Sequence, residues 1–293
     1  VANGGTAEDQ KGGNVYISSA TGSNSFINCT FQAAQARWGG SMSIRNSNVL
    51  ISHGYFNSNQ AEGGGGLFVE GASQVTLQSP YFLANSATGD GGGAVLVRDA
   101  SRISMTDVEF EANAANSGAG GAILSEDSDL TINSGWMRFS AAGTAGGFVA
   151  MSGGTLNMNG LILDNASVNT SNGTPSSGGI FYQESGQLNV RYSELLLGLA
   201  EDGACLYTVA GGTLIEDSLI HGHRSPREII FHSGSDITLR GVTGTGNNGR
   251  FLDTLSSNVV IDRSHISANN AGDSGSHLLI DGGSLAFSNS IFS

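Results

Sequence analysis

The chain of 293 residues contains only three prolines, two cysteines and a single lysine, Lys11. It also has no apolar run long enough to cross a bilayer as a helix. Each scarcity removes a class of protein. Two cysteines do not make the dense framework of a small disulfide-held secreted fold. They fall about seven repeats, or about 34 Å, apart at the usual strand spacing, so Cys29 and Cys205 cannot pair and read as small hydrophobes. With 12 Lys and Arg against 25 Asp and Glu, the net charge is −13, and the average surface repels both a phosphate backbone and an anionic bilayer. Neither a nucleic-acid partner nor membrane insertion is therefore expected. The first residues, "VANGGTAEDQKGG", lack the charged-then-apolar pattern of a leader. What the chain does have is 45 glycines with abundant Ser, Thr and Asn, a composition suited to short strands joined by tight turns.

The strands repeat. Aligned on the central apolar residue of "ISMTDVEF", eleven repeats spaced 22 to 32 residues apart place Phe26, Ile51, Leu77, Met105, Ile132, Met158, Val190, Ile215, Leu239, Ile261 and Phe287 in one column. Two positions earlier the column is apolar in nine of eleven repeats, and five positions later stand Phe31, Phe56, Phe82, Phe110 and further apolar residues, broken only at Gly244. Polar residues between them give the period-two alternation of a strand with one buried face. A second apolar column, led by glycine pairs, is expected about nine residues before the anchor, at Val15, Met42, Phe68, Val95, Ile123, Val149, Phe181, Leu206, Ile230, Leu252 and Leu279. Such a unit cannot bury its apolar face alone, whereas stacked units share a continuous core. The expected fold is all-β: a right-handed, single-stranded parallel β-helix of about eleven coils, one domain over 1–293, with an inserted loop at 165–177. Because the chain stops inside a strand at "NSIFS", it is expected to be a segment of a longer chain, or a subunit on which another stacks.

Several columns carry candidate chemistry. Asn59, Asn85 and Asn113 form a ladder beside Phe56, Phe82 and Phe110, which is expected to stabilise the stack. Where three consecutive columns of the glycine-led strand are apolar, one must face outward. The stripe Leu67, Val69, Leu96, Leu124, Tyr182, Tyr207 and Phe231 is the candidate docking surface. Arg191, Glu216, Arg240 and Asp262 alternate in sign along one column, as an ion-pair ladder does. The catalytic alternative pairs Glu216 with Asp262, two coils or about 9.6 Å apart, with Arg240 between them and His221 nearby. "HGHR" at 221–224 reads as solvated turn histidines, and with His232 alone nearby it falls short of a zinc site. No metal or cofactor is expected. Sequons begin at Asn28, Asn165, Asn169 and Asn172, so glycosylation at these positions is open.

The wording "GGAV" (92–95), "GGAI" (120–123), "FNSN" (56–59), "FLAN" (82–85) and "FEAN" (110–113) resembles the paired GGA[ILV] and FxxN repeats of polymorphic outer membrane proteins, which are surface autotransporters and adhesins. The resemblance covers roughly residues 39 to 180 and fades where "GACL", "PREI" and "GRFL" replace the glycine pair. It implies a non-enzymatic, extracellular or cell-surface structural or adhesive module. Its partners would be proteins, glycans or further copies of itself in a filament or larger surface assembly. The alternative is a polysaccharide lyase or hydrolase of the pectin-lyase-like β-helix class, and an ice-binding face is a third reading.

Overall fold

In "QVTLQ" the apolar residues alternate with polar ones, and the strand Gln74–Gln78 turns Val75 and Leu77 inward and the other three side chains out. It pairs in parallel with Asn48–Ser52 on one side and with Arg102–Glu111 on the other, Leu77 lying opposite Ile51 and Met105. The same register continues from Phe26 to Phe287, so all eleven anchors share one column. The structure, a computed structural model, describes residues 2–3, 11–169, 175–271 and 277–293. It is a parallel β-solenoid of about ten turns.

Each coil has three walls. The glycine-led wall contains strands such as Met42–Arg45, Leu67–Glu70, Val95–Val97 and Ile123–Glu126. The anchor wall follows, and then a short wall with strands such as Tyr55–Asn57 and Tyr81–Leu83. A small fourth ladder of five strands, from Gln60–Gly63 to Ser167–Val168, closes the middle coils before the next glycine pair. Inward side chains of all walls form one core running the length of the coil stack. At the short wall Phe31, Phe56, Phe82 and Phe110 stack with centroids 4.9, 4.6 and 4.8 Å apart. The stack spacing equals the strand spacing, so each added coil extends both the ladder and the ring column.

The corner after this wall needs a left-handed residue, and Ser58, Ala84 and Ala112 take φ of 54°, 52° and 53°. The next residue then points inward, which is where Asn59, Asn85 and Asn113 stand, essentially fully buried. Asn85 Oδ1 accepts from the backbone N–H and Nδ2 of Asn59, while Asn85 Nδ2 donates to Phe56 O at 3.0 Å. Each buried amide thus accepts a backbone N–H that the bend turns out of the ladder and adds a bond to a carbonyl one coil below.

Two expectations need correction at the glycine-led wall. Met42 and Val95 pair with Leu67, not Phe68, and Leu252 pairs with Leu278, not Leu279. Leu67 and Val69 therefore face the core and leave the proposed outer stripe, and Phe68 takes their place in it. The run "GGGG" at 63–66 hides a one-residue slip, which exchanges the two faces of a strand. Of the loop expected at 165–177, Ala166 and Val168 are buried and Ser167–Val168 is still laddered, so these residues stay in the stack; residues 170–174 lie outside those described. Among the described residues no helix is long and apolar enough to cross a membrane.

Candidate functional site

The outer column of the glycine-led wall runs Tyr16, Ser43, Phe68, Leu96, Leu124, Ala150, Tyr182, Tyr207, Phe231, Asp253 and Leu279. In the middle coils it is not exposed. Phe68, Leu96, Leu124 and Ala150 form a second buried cluster, with Trp38, Ala119 and Tyr182 packed on it. A bridge-paired series of small residues that includes Gly63, Gly91, Ala119 and Ala145 runs over this flank. A Cβ at Gly63 would lie 2.7 and 2.8 Å from Trp38 and Leu96, so only the smallest side chain lets the cover close there. Arg98 is held by Glu70 at 3.3 Å and lies 4.7 Å from the ring centroids of both Trp38 and Phe68. Leu96 and Leu124, expected outside, are sealed beneath this cover.

Past Ala150 the cover changes character. The bridge series continues through Ser177 to Asp202, and the outer column becomes aromatic. Tyr182 and Tyr207 stack with centroids 5.9 Å apart and planes at 7°, and Tyr207 and Phe231 at 4.7 Å and 21°. All three remain partly exposed. The column opens onto a groove of about 430 Å³ lined by Asp202, Tyr207, Pro226, Arg227, Glu228, Phe231, Arg250 and Asp253.

The charged lining arises from a break in the repeat. Earlier coils keep glycine at the second position of the pair because the backbones touch: a Cβ at Gly93 or Gly121 would lie 2.1 Å from the carbonyl oxygen of the next coil. In the coils of "PREI" and "GRFL" that position holds Glu228 and Arg250, which pair with each other across the rungs next to a register shift. Arg227 Nη1 lies 3.0 Å from Asp202 Oδ1, Arg250 is ion-paired to Asp253, and Glu228 Oε1 accepts the Gly203 N–H at 3.2 Å. Burial, reinforced by Asp202 and Asp253, pushes the Glu228 carboxyl up to about 7. Burial also raises Asp202, against the pull of Arg227. The groove therefore offers two partly exposed aromatic rings, two guanidinium donors and three carboxyl groups within a half-enclosed space. Sequence periodicity does not reveal this constellation, because Asp202, Arg227, Glu228, Arg250 and Asp253 are spread over several columns and only Glu228 and Arg250 share one. The signal that would have found it is the place where "GACL", "PREI" and "GRFL" replace the glycine pair.

The other candidates are placed differently. Glu216 is held by Arg191 at 3.0 Å and Arg240 at 3.4 Å, and these hydrogen bonds lower its carboxyl below the usual range. Asp262 lies 4.0 Å from Arg240 and is also lowered, by Ser288 and Asn289 first. The column is a continuous ion-pair ladder, and neither carboxyl is primed as an acid. His221 stands beyond the corner at Asp217, in the short wall, with Nδ1 2.8 Å from Thr245 O.

The reading of "HGHR" as solvated turn residues is wrong for His223, which is fully buried in the asparagine corner column. Its Nδ1 accepts from Gly198 N–H at 3.0 Å and its Nε2–H donates to Leu195 O at 2.8 Å, the two bonds an asparagine makes in earlier coils. His232 is buried as well, with Nδ1 3.2 Å from Ser257 Oγ, and burial depresses both imidazoles to about 4. Among the described residues no group of three or more His, Cys, Asp or Glu is placed to hold a metal ion. Asn28, Asn165 and Asn169 are exposed, and Asn172 lies outside the described residues. Both cysteines are free thiols, and burial raises Cys205.

Comparison of the chain with protein-family models, curated proteins and solved structures finds no match.

Proposed function

We propose that this chain is a non-enzymatic adhesive module of an extracellular or cell-surface assembly, and that it grips its partner along the Tyr182–Tyr207–Phe231 strip. The observation that carries the reading is the contrast along one column: its apolar side chains are sealed from Phe68 to Ala150, and past Ala150 they become three stacked, partly open rings beside a groove. Partly exposed, preorganised rings bind at low entropic cost, because the stacked neighbours already fix each one. The ion-paired and lowered Glu216 and Asp262 argue against glycoside hydrolysis on the anchor wall, since an acid catalyst needs a raised carboxyl.

The test is retention on an array of immobilised extracellular proteins and glycans, wild type against the triple variant Tyr182→Ala, Tyr207→Ala and Phe231→Ala. Wild-type retention lost in a folded triple variant is the expected result. Equal retention by both proteins, no retention of the wild type, or release of reducing ends from any arrayed glycan overturns the reading.

A further inference from the structure

We propose that the groove between Asp202 and Asp253 is a saccharide subsite, which takes one pyranose unit of a neutral polysaccharide against the exposed side of the Tyr207–Phe231 column and bonds its hydroxyls to Glu228, Asp202 and the two guanidinium groups. This rests on the reading of the aromatic strip as the docking surface, and it names the partner.

Three features select the ligand class. The rings of Tyr207 and Phe231 lie 4.7 Å apart and within 21° of parallel, and neighbouring Tyr182 continues the column one coil below. A partner that runs across successive coils thus meets the exposed side of a ring at each one, where an extended chain of CH-faced units can pack. A pyranose has such faces, and its rim carries hydroxyls that both donate and accept. The groove matches that rim with mixed chemistry: Arg227 and Arg250 donate, Asp202 and Asp253 accept, and Glu228 in its neutral form donates its carboxyl O–H. Formal charge decides against an anionic glycan. The groove's three carboxyl groups outnumber its two guanidinium groups, which are themselves engaged with Asp202 and Asp253, and the whole chain carries −13.

Glu228 gives the site a distinctive readout. The groups facing it are Asp202 and Gly203 from the coil below, Arg227 beside it, and Arg250 and Asp253 from the coil above. A neutral sugar seated over the groove removes further water from this carboxyl, and loss of water disfavours its charged form. Binding is therefore linked to proton uptake, and affinity falls as pH rises through neutrality.

The experiment is affinity electrophoresis and titration calorimetry of the whole chain, with neutral glucans, mannans, xylans and chitin oligomers against polygalacturonate and alginate, at pH 6 and pH 8. The expected result is retardation by at least one neutral glycan and by no acidic one. Affinity should be weaker at pH 8, and Tyr207→Ala or Phe231→Ala should weaken it by about tenfold or more. Glu228→Gln, which keeps the amide-sized side chain and cannot ionise, is expected to bind equally at both pH values. Binding to acidic glycans alone, to no neutral glycan, or undiminished in both ring variants overturns the proposal. If the ring variants lose retention on the array while neither neutral nor acidic glycans bind, the saccharide proposal falls, the docking strip stands and its partner is a protein. If they keep array retention, the strip itself falls.

Discussion

His223 shows how much one side chain of this fold has to do. Asn85 and its neighbours close a corner by accepting one backbone N–H and donating to one backbone carbonyl, and His223 repeats both bonds with a ring in a single tautomer. His223→Ala leaves the Gly198 N–H buried without a partner and removes one bond to Leu195 O, an expected loss of about 1–3 kcal/mol in urea unfolding. His223→Asn restores both bonds and is expected to cost less. The imidazole, normally near 6.5, is depressed to about 4, so the unfolded chain takes up its proton first as pH falls. Stability from this residue is complete above about 6.5 and is lost toward 4. Wild type should therefore lose ground to His223→Asn in unfolding experiments between those values and keep a constant offset above them. A slope of the opposite sign would show that the ring is charged in the folded protein. The sequence placed this histidine in the right coil but on the wrong side of the wall, because neighbouring asparagines in the column are interrupted by Ser140, Ala166 and Gly198.

At the scale of the strand, periodicity revealed much of the fold. Inward residues recur because every coil fills the same slot, so Leu77, Met105 and Ile132 announce one another. Slots along a glycine run have no such marker, which is why Phe68 and Leu67 exchanged faces. What covers an outward face is decided by a loop from the coil beside it, and no within-strand pattern records that. The glycine pair gives a sharp test of the stacking. Gly121→Ala, with its methyl 2.1 Å from Gly147 O, is expected to cost at least about 3 kcal/mol, while Ala204→Gly, where the column already carries a methyl, should cost only about 1. Equal effects in thermal unfolding would mean that the rungs are not in this contact. On the anchor wall, Arg240→Ala removes links to Glu216 and Asp262 that are open to solvent, and a loss under about 1 kcal/mol that shrinks in high salt is expected.

Across the whole molecule, ten turns at the strand spacing make a shaft roughly 50 Å long, which small-angle scattering should recover. Each coil contacts mainly its two neighbours, so stability is a chain of local interfaces and need not be uniform. Coils around Leu96 and Leu124 are packed on both sides of the glycine-led wall, whereas those around Tyr207 and Phe231 are packed on one. Hydrogen exchange by mass spectrometry should find the slowest amides at Val95–Val97 and Ile123–Glu126 and faster ones at Leu206–Thr208; uniform protection would contradict the two-sided seal. The charged groove was hidden for the same reason that it is distinctive, since a site made of departures from a repeat has no period of its own. The matching edges of the coils carry one more consequence. Every rung presents upward the same row of donors and acceptors that it receives from below, so a duplicated stretch of some twenty-six residues would slot in as an extra storey, and the shaft can change height over generations while the gripping floor stays as it was.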